Sequence, residues 1–124
     1  VSDKALMSEL LTQLAHEKLD VYRCSIEFFS LAIRLAQAIP RGESEMRDQL
    51  RRAAMSIPLN IAEGSGKVTT ADRQRFYAIA RGSTSECSAI LDVGALSGWF
   101  VPEATQQGKI LLVRLVSMLT KMLR

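Results

Sequence analysis

"SIPLNIAEGSGK", Ser56 to Lys67, is the stretch on which the fold turns. Ile57, Leu59 and Ile61 alternate as the residues of a strand do, and Pro58 between them opposes an undisturbed helix. Upstream, however, Met46, Leu50, Ala53 and Ala54 recur at spacings of three and four and run on into Ile57 and Ile61, which is helical periodicity. A strand explains the alternation but not this continuity. The stretch therefore predicts one helix, bent at Pro58, whose missing N–H leaves the Ala54 carbonyl without its helical donor. Asn60 lies close enough along the chain to help solvate that turn, and Gly64 and Gly66 suit a left-handed stop. Ser44 is the expected N-cap, with Glu45 at the positive helix end.

The tail GSGK resembles a phosphate-binding loop only superficially. That loop needs a glycine, four residues, then Gly-Lys-Ser/Thr, so that amides wrap the phosphates and a hydroxyl reaches magnesium. Ile61 stands at the first glycine position, Val68 follows Lys67, and no strand precedes. A helix stop and turn is the better reading.

Outward from this segment, three more helices are legible. In residues 20–39 one apolar row reads Val21, Phe28, Ala32, Leu35 and Ile39, and a second reads Tyr22, Ile26, Phe29, Ile33 and Ala36. Pro40 and Gly42 end it. Thr69, three residues before Asp72, predicts the cap of a third helix. Its seam reads Phe76, Ala80, Ser83, Cys87, Ile90, Gly94 and Ser97, mostly small side chains that let another helix approach closely. Gly98 marks its end, and Pro102 with Glu103 suits the first turn of a fourth. There Ala104, Leu111, Leu115, Met118 and Met122 form one row, and Leu112, Val116, Leu119 and Leu123 a second. Ahead of all four, Leu6, Leu10 and Leu14 beside Met7 and Leu11 make another stripe, either a separate short helix or an early start to the first long one.

These elements predict an all-α, antiparallel up-and-down four-helix bundle over residues 1–124, with residues 1–18 as an N-terminal helical extension. The composition agrees: 48% hydrophobic, 23% charged, 6% aromatic and only ten prolines and glycines together in 124 residues. The first and fourth helices carry wider apolar faces than a single core requires, which predicts a partner, most simply further copies of the chain. No apolar run approaches the roughly 20 residues that span a bilayer. The N-terminal stretch interleaves charges with leucines, unlike a signal peptide. Cys24 and Cys87 lack metal-type spacing and read as small buried hydrophobes, so a cytoplasmic location is expected.

Chemistry is sparse. His16 is the only histidine, and no Glu-x-x-His pair exists for a di-iron bundle. No catalytic residue, cofactor or metal is predicted. Glu63, at the end of the second helix's apolar row, and Arg81, beside the third helix's seam, are expected to pair, fixing register or lining a partner site. The net charge of +3 is segregated. Lys67, Arg73 and Arg75 cluster around the start of the third helix, while Lys109, Arg114, Lys121 and Arg124 spread along the fourth with no acid between Ala104 and Arg124. They form either a solvated face or an electrostatic footprint for phosphate backbones, which oligomerisation would repeat.

"LRRAAMSIPLNIAEGSGK" (Leu50–Lys67) with "RFYAIARGSTSECSAILDV" (Arg75–Val93) resembles the four-helix-bundle family of ribosomal 23S intervening-sequence proteins, over roughly residues 19–122. The resemblance implies an up-and-down bundle that assembles into a homopentameric ring. Some members are encoded within insertions in bacterial 23S rRNA genes. Related accessory proteins of diversity-generating retroelements engage reverse transcriptase and nucleic acid through a basic ring. Ser56, Pro58, Asn60, Glu63, Gly64, Arg81 and Glu86 match the family signature and are implied to maintain the second helix and its packing on the third. The implied function is non-enzymatic binding of RNA or of a nucleic-acid-associated protein. A scaffold that binds only protein is the alternative.

Overall fold

The computed structural model describes Lys4 and residues 19–124, so most of the predicted extension over residues 1–18 lies outside the described residues. Among these there is no strand. Four long helices follow in order: α1 (Asp20–Ala38), α2 (Ser44–Ser65), α3 (Thr70–Leu96) and α4 (Pro102–Met122), with a short 3-10 turn at Arg41–Glu43. Each packs on its chain neighbours and α1 closes onto α4, while the diagonal pairs do not approach. The result is an antiparallel bundle around one core, with Phe28, Leu50, Ile57, Ile61, Leu91, Leu115 and Leu119 fully enclosed.

The deciding segment is helical. α2 runs unbroken through Pro58, which is itself buried. Ile57 and Ile61 point into the core, while Leu59 is 61% exposed. A strand would have put all three on one face. Asn60 serves the disturbed turn as expected. Its Nδ2 donates to the Ser56 carbonyl at 2.8 Å and to Ser56 Oγ at 3.0 Å. An i to i−4 reach is what an amide side chain spans on a helix, and Ser56 is Asn60's own i−4 neighbour.

Several expected ends differ. Ser44 is the first helical residue of α2 and not its cap. The Arg41–Glu43 turn, closed by Glu43 N–H on the Pro40 carbonyl at 2.9 Å, already brings Ser44 into helical geometry, so its hydroxyl caps nothing. Nor do Gly64 and Gly66 adopt a left-handed stop, since Gly98 alone has positive φ among the described glycines. Gly64 is needed for closeness instead, because a Cβ there would lie 2.7 Å from the Tyr77 ring. At the N-terminus of α1, Leu19 is extended (φ −82°, ψ 130°), so α1 does not run back through it.

Other ends match. Thr69 Oγ1 accepts from Asp72 N–H at 3.2 Å and caps α3, and Pro102 opens α4. The α3 stop is a Schellman arrangement. Trp99 N–H reaches the Gly94 carbonyl at 2.9 Å and Gly98 N–H reaches Ala95 at 3.1 Å, with Gly98 at φ 77°. The α3 seam is rotated slightly from expectation. Tyr77 and Thr84 take the deep places beside Ala80, Cys87, Ile90 and Gly94, Phe76 and Ser83 are half-buried, and Ser97 is exposed. The buried stripe keeps three-and-four spacing through Tyr77, Ala80, Thr84, Cys87, Leu91 and Gly94, with Ile90 beside it, but sits to one side of the expected row. Small residues still set the helix distances. A Cβ on Gly94 would enter the Phe100 ring, and one on Gly108 would sit 2.6 Å from Leu91.

Candidate nucleic-acid interface

The antiparallel arrangement brings the start of α3 against the end of α4. Gln74 Nε2 donates to the Leu123 carbonyl at 3.4 Å, and Arg81 Nε donates to Thr120 Oγ1 at 2.9 Å. Lys67, Arg75, Lys121 and Arg124 therefore share one end of the bundle. Two of these cations meet the same half-buried ring. Lys67 Nζ lies 5.2 Å and Arg75 Cζ 5.0 Å from the Phe76 centroid. Such cation–π contacts hold charged heads in place without neutralising them. Lys67 also pairs with Glu63 at 3.2 Å, one helical turn away. Arg75, Lys121 and Arg124 are exposed.

The remaining predicted cations do other things. Arg73 folds back on the α2–α3 loop, donating to the Lys67 carbonyl at 3.0 Å, the Val68 carbonyl at 2.9 Å and Thr70 Oγ1 at 3.2 Å. It is a loop lock. Lys109 donates to Ser88 through its carbonyl (3.0 Å) and hydroxyl (2.7 Å), and lies 2.5 Å from Asp92 Oδ1. Its charge is spent on α3, well away from the basic end. Arg114 is exposed on the α4 flank facing α1, near enough for its charge to act on the Cys24 thiol. The six predicted residues thus do not form one face. Phe76 joins the site from outside the predicted set, and the Arg75–Phe76 pair at the base of a basic loop is the signal in the sequence that points to it.

The signature residues knit α2 to α3. Ser83 Oγ donates to Ser56 Oγ at 2.8 Å, and Gln49 donates to Glu86. The expected pair of Glu63 with Arg81 does not form. Glu63 binds Lys67 and Arg81 binds Thr120, because Arg81 lies on the α4 side of α3, away from α2. Both side chains are exposed, so neither charge required a buried partner.

A scan against family models matches residues 17–121 to the 23S rRNA-intervening sequence protein model. The chain belongs to that family. A comparison with curated proteins returns no match. Among the described residues of this intervening-sequence family member, no group of three or more His, Cys, Asp or Glu side chains is placed to hold a metal, and no helix is long and apolar enough to cross a membrane. His16 lies outside the described residues.

Cys24 and Cys87 are free and buried. Burial raises the Cys24 thiol, Arg114 partly offsets this, and Glu27 adds to the rise. Burial first, and then Glu86, pushes Cys87 from 9.0 up to about 12. Above pH 9 the unfolded thiol ionises while the folded one stays protonated, so the unfolded state binds fewer protons and stability falls as pH rises toward 12. The expected slope is about 1.4 kcal/mol per pH unit. Urea melts at pH 8.5 and 10.5 check it, and Cys87→Ala is expected to reduce the difference, leaving the smaller share that the raised Cys24 thiol contributes.

Large exposed apolar side chains occur on all four helices, Ile79 and Val93 of α3 among them, and two groups stand together. Cys24, bonded to the Leu111 carbonyl at 3.6 Å, marks the α4-facing flank of α1. Tyr22, Ile26, Phe29 and Ile33 recur on the other flank, toward α2, where Met55 and Leu59 are exposed. On α4, Val113 (68% exposed) and Val116 border a groove of about 440 Å³ whose other wall is Ser85 and Ser88 of α3.

Proposed function

We propose that this chain is a cytosolic, non-enzymatic homo-oligomer that binds RNA, or a nucleic-acid-associated protein, through basic bundle ends repeated around the assembly. The observation that carries this reading is the gathering of Lys67, Arg75, Lys121 and Arg124 at one end, with Arg75 and Lys67 posted on the Phe76 ring. The family name, which refers to sequences intervening in 23S rRNA, supports an RNA setting. Backbone charge is the recognition element, since Phe76, the ring beside these cations, is half-buried and already covered by Lys67 and Arg75.

The two apolar sides support the oligomer. One lies over α1 and α2 and the other over α3 and α4, on opposite sides of the bundle, and they differ in shape: bulky side chains on the first, a groove with small serines on the second. Unlike faces dock head to tail, and such contacts close into a ring where the rotation permits. A pentamer is the closed ring we favour, following the family resemblance.

Filter binding of structured RNA across a salt series tests the reading. A ring that neutralises six or more phosphates is expected to lose roughly a thousandfold in affinity between 50 and 200 mM salt. Negligible retention at 50 mM salt would remove the RNA reading and leave the protein scaffold. Light scattering tests the ring, and a monomer at micromolar concentration would refute it.

A further inference from the structure

At the end of the bundle opposite the basic residues, a slot of about 450 Å³ opens between the second half of α1 and the start of α4. Its apolar walls include Leu31 and Leu35, its floor is Trp99 and Phe100, and Arg34 and Glu103 stand on its rim. The floor is set in advance of any ligand. Phe100 fills the space that Gly94 leaves without a side chain, Trp99 meets it edge-on at 6.5 Å, and the Schellman bonds hold the turn. Neither Arg34 nor Glu103 has an ion-pair partner among the described residues. The slot therefore suits a small apolar group flanked by one positive and one negative charge.

The chain carries such a group at its other end. Val68, at the tip of the α2–α3 loop, is 92% exposed, with Lys67 before it and the exposed Asp72 after it. Arg73's three hydrogen bonds and the Thr69 cap stiffen this loop, so presenting Val68 to a partner costs little further ordering. The ends are also complementary overall. Residues 19–23, 63–75 and 118–124 hold six basic and three acidic groups, whereas residues 34–48 and 92–109 hold four basic and five acidic. The 27-residue α3 separates loop and slot by about 40 Å, so one molecule cannot join its own ends.

We propose that copies of this chain stack end to end, the Val68 loop of one entering the Trp99 slot of the next. The contact is axial, distinct from the lateral apolar faces, and does not depend on the RNA reading. It covers the same basic end, so RNA and stacking compete.

Sedimentation velocity on nucleic-acid-free protein tests it. At 50 mM salt the expected result is a distribution at least twofold heavier than at 500 mM, where charge attraction is screened and the lateral oligomer remains. Val68→Asp is expected to remove the heavier species at every salt concentration, and its exposure leaves the fold untouched. Lys67→Glu and Glu103→Lys are each expected to lose stacking alone and to regain it on equimolar mixing, because every loop then meets a slot of opposite charge; circular dichroism checks that both are folded. Trp99, the only tryptophan, is expected to shift its emission to the blue as protein concentration rises at low salt, and not in Val68→Asp. A distribution indifferent to salt and to Val68→Asp would overturn the proposal, as would folded charge variants that fail to restore stacking when mixed. If only the lateral contact fails, Val68→Asp still changes the mass at low salt.

Discussion

Replacing Arg75, Lys121 and Arg124 together by glutamate is expected to lower RNA affinity at 50 mM salt by roughly a hundredfold and to flatten the salt dependence by about one log–log unit for each phosphate that is no longer neutralised. All three side chains are exposed, so the variant is expected to keep its helical signal and melting behaviour. Lys109→Gln is the informative contrast. Its ammonium is already committed to Ser88 and Asp92 on α3, and RNA affinity is expected to change by less than about twofold. Arg73→Ala is expected to behave differently from both. It removes three hydrogen bonds within the α2–α3 loop and costs about 1–2 kcal/mol of stability, with little direct effect on RNA. Filter binding and urea unfolding on the same three proteins separate these outcomes. Equal loss of RNA from Lys109→Gln and from the triple variant would mean that total charge, rather than the basic end, governs binding.

The second large effect concerns the segment around Pro58. Ile57→Ala is expected to destabilise the protein by about 2–5 kcal/mol, because it empties a fully enclosed site between helices held apart by other side chains. Leu59→Ala, two residues on, is expected to cost less than about 1 kcal/mol, since Leu59 is largely solvated. Chemical denaturation at low micromolar concentration, followed by circular dichroism, measures both. Strand geometry would place Ile57 and Leu59 on one face and make the two losses similar, so the ratio of the effects reports backbone conformation directly.

The fold was legible because its determinants are local. Rows at three and four residues, Pro40, Gly98 and Pro102 at the breaks, and Thr69 three residues before Asp72 each act within a turn or two of chain. Where expectation failed, a neighbouring element had intervened. Gly64 and Gly66 look like a stop because glycine commonly ends helices. In the folded chain Gly64 instead admits Tyr77 of α3, a residue thirteen positions away. Ser44 looks like a cap until the preceding turn carries it into the helix. Glu63 and Arg81 are matched by their positions along two joined helices, yet rotation about α3 turns Arg81 toward α4 and Thr120.

The candidate site was less legible than the fold for a related reason. Charge can be counted along a chain, but whether a cation is free depends on what lies beside it in space. Arg75, Lys121 and Arg124 are gathered by the antiparallel return of α4 without an ion pair among the described residues. Lys67 is shared with Glu63, while Lys109 and Arg73, equally basic on paper, are consumed by Asp92, Ser88 and the loop carbonyls.

Sequence alone determined four helices, their order and the helical state of the Pro58 segment, since periodicity and breaking residues are properties of short stretches of backbone. Only the tertiary structure decided which charges stand free, which glycines serve contact rather than turning, and that a rigid Val68 loop and a Trp99 slot occupy opposite ends. Those outcomes depend on the relative rotation and direction of helices distant in the chain, which no local pattern encodes.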